Sequence, residues 1–135
     1  MTQMSGLYAR VSAHQQEQKA TIESQIAAVE AFAQVQGYRL SKELYFLDEA
    51  VSGAKLDRPA LDHLRDLVAE GLFQVVLCLS PDRLALNYAH QWVLLDEFQR
   101  AGVQVVFVNQ PPVENNPQSQ LVLAFRGYFR NTNGR

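Results

Sequence analysis

Every position of the run Val75-Val76-Leu77-Cys78-Leu79 is apolar. A strand with one face in water alternates polar and apolar side chains, so a run with no polar position needs cover on both faces, as in the middle of a parallel sheet. A comparable run, Val103-Gln104-Val105-Val106-Phe107-Val108, lies further along the chain. Between the two is a loop, Ser80 to Asn87, and a helical pattern that turns Trp92, Leu95 and Phe98 inward and stops at Gly102.

The first half repeats this alternation. Leu7-Tyr8-Ala9-Arg10-Val11 is the first β-like run. Ile22, Ile26, Val29 and Ala33 then recur on one face of a 3.6-residue period, with Thr21 as N-cap and Gly37 as stop. Tyr38 to Leu47 is a less regular run, expected nearer a sheet edge, and Asp48 to Arg58 is loop-like around Ser52-Gly53. Pro59 suits the first turn of a helix, where its missing N–H is an orphan anyway. Leu61, Leu64, Leu67 and Val68 give that helix its apolar face before Gly71. Pro111, Pro112 and Pro117 keep residues 110–118 out of helix and sheet centre, and a last helix carries Leu121, Val122, Phe125 and Phe129. The β-α-β-α-β-α-β-α order predicts an α/β fold, a three-layer parallel sheet with right-handed crossovers and helices on both faces.

Composition removes several classes. The 135 residues suit one domain with a real core. The single cysteine, Cys78, excludes an internal disulfide framework, and no Cys/His cluster suggests zinc. There is no apolar stretch long enough to span a membrane and no apolar signal segment at the N-terminus, so a cytoplasmic protein is expected. No GxxxxGK[ST] or GxGxxG loop follows the first run, and no carboxylate cluster suggests magnesium. Neither a metal nor any other cofactor is expected.

In open α/β sheets ligands sit beyond the carboxyl ends of the strands, where strand order reverses. With the flavodoxin-like order 2-1-3-4, that point lies between the first and third strands. Ser12 stands just past the first, and Ser80-Pro81-Asp82-Arg83 just past the third. Arg10 is two residues before Ser12, so their side chains share a face. The loop after the second strand opens on the same side and can add Lys55 and Arg58. Several cations around one hydroxyl suit a phosphate, because guanidinium forks match its oxygens and offset its charge.

Four blocks then become recognisable. Tyr8-Ala9-Arg10-Val11-Ser12 with Gln16 and Thr21-Ile22-Glu23-Ser24-Gln25, the stretch from Tyr45 to Pro59 (YFLDEAVSGAKLDRP), Ser80-Pro81-Asp82-Arg83-Leu84, and the segment from Ala101 to Pro111 resemble, in order, those of serine recombinase catalytic domains, most closely the large serine recombinases. The resemblance covers about residues 6–125. It implies a resolvase/invertase-type domain over residues 1–130; residues 131–135 read from the chain itself as a frayed tail. It also implies metal-free cleavage and rejoining of DNA through a 5′-phosphoserine link, with DNA and further copies of the chain, dimer to tetramer, as partners. Carried over, Ser12 is the nucleophile, and Arg10, Arg58 and Arg83 hold the scissile phosphate. Asp82 orients an arginine or supplies a proton to the leaving oxygen. Gln25 helps position the site, and Asp48 and Gln16 give support.

Two departures shape the expectation. The family pattern places a second arginine three residues after the one in its "DRL" block, where this chain has Leu86. Losing one preorganised donor costs on the order of 10²–10³ in rate, so weak or absent cleavage is expected. The family also continues into a long dimerisation helix and a DNA-binding region, and neither is expected in residues 125–135. An inactive binding or assembly module is therefore the rival reading, and a flavodoxin-like small-molecule or receiver domain a more distant one.

Plain structural roles are available for each residue singly: Ser12 as a loop serine, Arg58 as a helix flank, Arg83 as a surface cation, Asp82 as a cap. His14 lacks an orienting carboxylate and is expected to be solvated. His63 and His90 read as exposed helix residues, Cys78, Trp92, Phe98 and Phe107 as core, and Tyr8 as either core or site wall. The net charge of −2 divides into +3 over residues 120–135 and −5 over residues 1–119. An acidic body cannot hold DNA by counterion release, so weak DNA binding by the chain alone is expected.

Overall fold

Four parallel strands in the order β2-β1-β3-β4 form the single sheet among the described residues of this computed structural model, which are 3–11, 21–49 and 58–109. The elements run β1 (Gln3–Val11), α1 (Ile22–Gln36), β2 (Tyr38–Glu49), α2 (Pro59–Glu70), β3 (Val75–Cys78), α3 (Pro81–Leu84), α4 (Tyr88–Arg100) and β4 (Gln104–Phe107). The strand order reverses between β1 and β3, so the switch point lies at their carboxyl ends, as expected.

Alternation along the strands sorts the core into two layers. Leu7, Ala9 and Val11 of β1 join Val75, Leu77 and Val106 under Ile22, Val29 and Ala33 of α1. Tyr8, Phe46, Val76, Cys78, Val105 and Phe107 face the other way, against Leu61, Leu64 and Val68 of α2 and Leu94, Leu95 and Phe98 of α4. All four residues of β3 are buried, as its wholly apolar run requires. Burial also pushes the Cys78 thiol up to about 12, which suits a small core hydrophobe. Helix boundaries follow local chemistry. The Thr21 hydroxyl accepts from the Ser24 N–H at 3.1 Å, and the Asn87 side chain accepts from the His90 N–H at 2.8 Å. Gly37 and Gly71 close α1 and α2 at φ of 84° and 75°, where a side chain would be strained.

β2 is an edge strand among the described residues, as expected, and its register with β1 shifts so that Ser5 faces Leu40 while Leu7 faces Tyr45. That bulge on an edge strand explains its irregular pattern. Other details depart from the sequence reading. Residues 81–84 are a one-turn helix rather than loop, too short for a hydrophobic period to reveal, with Pro81 at its first position. Trp92 is only half-buried: the inward face of α4 is Gln91, Leu94, Leu95 and Phe98. Trp92 lines a groove between α2 and α4, where Arg65 and Glu97 form a two-pronged ion pair at 2.9 and 2.7 Å. His63 is exposed, as expected, and lies edge-on to Phe46, whereas His90 is half-buried. The expected helix near Ser119 lies outside the described residues.

Asp48 ties this frame together. Its carboxylate, buried at the end of β2, accepts from Tyr8 Oη at 2.8 Å, from the Ala60 N–H at 2.9 Å and from the Leu61 N–H at 3.0 Å. The residue at the N-cap of α2, Arg58, makes no side-chain cap bond, so Asp48 caps that helix from the sheet. Burial raises the Tyr8 phenol well above its ordinary 10.0; Arg58 opposes this, and Asp48 adds to it by charge and hydrogen bond.

Asp48→Ala strands two helix N–H groups and a phenol in the interior and should cost roughly 3 kcal/mol, read as a lower urea midpoint at unchanged slope; an unchanged midpoint would contradict this role. The raised Tyr8 phenol sets a second expectation. Its contribution to stability is whole below pH 10.0 and is lost above that, because the unfolded chain ionises first. Urea titrations from pH 9 to 11 should therefore show stability falling above about pH 10, less steeply in Tyr8→Phe. Equal slopes for the two chains would refute it.

Candidate active site

Three guanidinium groups are buried together at the carboxyl end of β1. Arg10 stands one residue before the end of that strand, on the face that carries Tyr8. Arg58 sits at the N-cap of α2, and Arg83 on α3 directly after β3. Their exposures are 1%, 0% and 9%. Charges this deep are costly and call for hydrogen-bond partners and an offsetting field.

Most of their partners are main-chain carbonyls. Arg10 donates from Nε to the Arg83 carbonyl at 3.1 Å and from Nη2 to the Asp82 carbonyl at 2.8 Å. Arg58 donates from Nη2 to the Leu84 carbonyl. Arg83 returns the contact, Nη1 donating to the Arg10 carbonyl at 3.3 Å. Gln25, fully buried on α1, reaches the same strand residue from the opposite layer: its Nε2 donates to the Arg10 carbonyl at 3.0 Å, and its Oε1 accepts from the Arg10 N–H at 3.3 Å. The cluster thus joins β1, α1, α2 and α3 at the switch point.

The local field is positive. Asp48 is committed to Tyr8 and α2. Asp82 is half-exposed, accepts from Ser80 Oγ at 2.5 Å and stands 3.8 Å from Arg83 Nε. The Arg58 guanidinium carbon lies 5.6 Å from the centre of the Tyr8 ring, a cation–π contact. Burial, and then Arg58, hold the Arg10 guanidinium below its ordinary range; Arg83 adds to this, while Tyr8 and Asp82 oppose it. Nε and Nη1 of Arg58 are buried without a hydrogen-bond partner among the described residues. Buried cations with donors to spare suit an anion with several oxygens.

The structure therefore brings together Arg10, Arg58, Arg83, Asp82 and Gln25. Ser12, with Gln16 and Lys55, lies outside the described residues. Tyr8 proves to be both core and site wall. Asp48 contributes more than support, and its position opposite Arg10 in the β1–β2 register is a cue that needs the pairing to be known. Leu86 follows α3 and is 52% exposed. Sequence reasoning passed over Gln91, a buried amide on the core face of α4.

Comparison with known proteins adds an independent line. The family model described as "Resolvase, N terminal domain" matches residues 6–134. A Bacillus subtilis (strain 168) protein named as a DNA recombinase is 37% identical over 125 residues, covering 92% of this chain and 24% of its own length. The transposon Tn3 resolvase of Escherichia coli is 36% identical over 116 residues, covering 86% and 56%. The chain thus spans between a quarter and somewhat over half of these relatives. Among solved structures, the N-terminal catalytic domain of TP901-1 integrase aligns with a TM-score of 0.78 at 24% identity over 96% of both chains. The C-terminal catalytic domain of ISC1926 TnpA, an IS607-like serine recombinase, aligns at 0.67 and 30% identity over 78% of this chain and 70% of that one. Motif order, sheet order and family match agree: the chain belongs to the resolvase N-terminal domain family.

Proposed function

We propose that this chain is the catalytic domain of a site-specific serine recombinase, and that the arginine cluster holds a DNA phosphodiester for attack by Ser12. The observation that carries the reading is the burial of Arg10, Arg58 and Arg83 at the end of the strand that leads into Ser12. In the reaction, Ser12 Oγ gives up its proton and forms a bond to phosphorus, the bond from phosphorus to the 3′ oxygen breaks, and that oxygen takes up a proton and leaves as a hydroxyl, with no net change in protons. The product is a 5′-phosphoserine link that a 3′-hydroxyl can attack in reverse. Negative charge grows on the non-bridging and leaving oxygens in the transition state, and fixed guanidinium donors in a dry site stabilise it strongly. Asp82, beside Arg83, either orients that cation or passes the proton. Gln25 fixes the main chain at Arg10. DNA and further copies of this chain, dimer to tetramer, are the partners.

Leu86 supports a second reading, an inactive module that assembles with other recombinase subunits. It supplies a hydrocarbon, half exposed, where the family pattern has a cation. Incubating the chain with nicked, randomised duplex DNA and resolving the products on a denaturing gel separates the two. An SDS-stable adduct mapping to Ser12 and absent in Ser12→Ala is expected; an adduct that survives Ser12→Ala refutes the nucleophile assignment, and no adduct at any concentration leaves the module reading. Leu86→Arg should raise the rate of adduct formation by about 10²–10³. A rate unchanged by that substitution would mean that Leu86 is not the limiting departure.

A further inference from the structure

We propose that Gln91 is a positioning residue of this site, holding the Ala85 carbonyl and thereby fixing the path of the chain from α3 into Leu86; this rests on the reading of the arginine cluster as a phosphate site. The argument begins with α3. A helix of four residues has no stability of its own, because nucleation is unfavourable and propagation has barely begun. Its closing bonds are the Arg83 N–H to the Ser80 carbonyl and the Ala85 N–H to the Pro81 carbonyl, each at 3.1 Å. The carbonyls of Asp82, Arg83, Leu84 and Ala85 have no helical partner, as at any helix end. Each of the four instead accepts from a side chain brought from elsewhere. Asp82 and Arg83 accept from Arg10, Leu84 from Arg58, and Ala85 from Gln91 Nε2 at 2.7 Å.

Three of these four bonds come from candidate phosphate ligands. The fourth comes from α4, whose other buried residues, Leu94, Leu95 and Phe98, only pack the core. Gln91 is 4% exposed on that same face. An apolar residue is the default there, and a buried amide is costly unless it is bonded. Its one side-chain bond goes to the residue between Arg83-Leu84 and Leu86. Without it the Ala85 carbonyl has no donor among the described residues, and the polar anchors left to the one-turn helix that carries Arg83 are the groups that must also meet the ligand, beside the core packing of Leu84 and Ala85.

The test uses the full chain, Gln91→Met, which keeps length and apolar bulk but cannot donate, and Gln91→Lys, which restores a donor. Three quantities are read by NMR: amide exchange, the Arg83 Nε resonance, and the affinity for inorganic phosphate. In Gln91→Met the Arg83 and Ala85 amides should exchange about tenfold faster, while those of β1 and β3 keep their protection. The Arg83 Nε resonance should shift, phosphate affinity should fall by about threefold or more, and Gln91→Lys should recover all three. Unchanged amides at Arg83 and Ala85, acceleration spread equally over β1 and β3, or local acceleration with unaltered phosphate affinity would each overturn the proposal. Should the parent chain bind no phosphate, the phosphate reading of the cluster falls by itself. Gln91 is then decided by exchange and the Arg83 resonance: local change with recovery by lysine supports it, and none overturns it.

Discussion

Burying three guanidinium groups at one end of a small sheet is the demand that the surrounding structure answers. An isolated buried cation is costly, and three near one another repel. The chain offsets this with dipoles more than with counter-charges. Arg10 and Arg58 point into the carbonyl end of α3, where the partial negative charge of a helix end is available, and Arg83 and Gln25 share the Arg10 carbonyl. Among the described residues the deeply buried carboxylate nearby is that of Asp48, shared between the Tyr8 phenol and the N-terminus of α2. The result is a buried positive cluster in which Nε and Nη1 of Arg58 have no hydrogen-bond partner among the described residues.

The same bonds explain why the neighbouring elements stand where they do. α3 is held by side chains from β1, the N-cap of α2 and α4 together with the burial of its own Leu84, because four residues have no helical stability of their own. α2 starts at Pro59 because Asp48 supplies the cap that Arg58 does not. Arg58 is thereby delivered over the Tyr8 ring from the residue just before the helix. Site and frame are thus largely the same set of hydrogen bonds, and a change meant to probe phosphate binding at Arg10 or Arg58 also loosens α3.

Much of this was legible from the linear chain. The unbroken apolar run of β3 and the helical periods of α1 and α2 pointed to a parallel, doubly covered sheet, and strands one and three were the ones whose ends carried serine, arginine and aspartate. Other features were illegible for physical reasons. A one-turn helix has no period to detect, so residues 81–84 read as loop. Trp92 fell on an apolar spacing, yet the helix is rotated to bury Gln91 instead. Gln91 carries no sequence signal of its role, because nothing local tells an amide aimed at solvent from one aimed at a carbonyl six residues earlier.

What the sequence determined by itself is the alternation of elements, the sheet class, and the identity of the cations near its carboxyl end, since hydrophobic periodicity, prolines, glycines and caps act over a few residues. Tertiary structure decided which groups meet. The register that sets Arg10 opposite Asp48, and the reach of Arg58 and Gln91 to adjacent carbonyls of one short helix, join residues distant along the chain. Those contacts depend on how strands pair and helices dock, and the hydrogen bonds that result carry no periodic trace in the order of the amino acids.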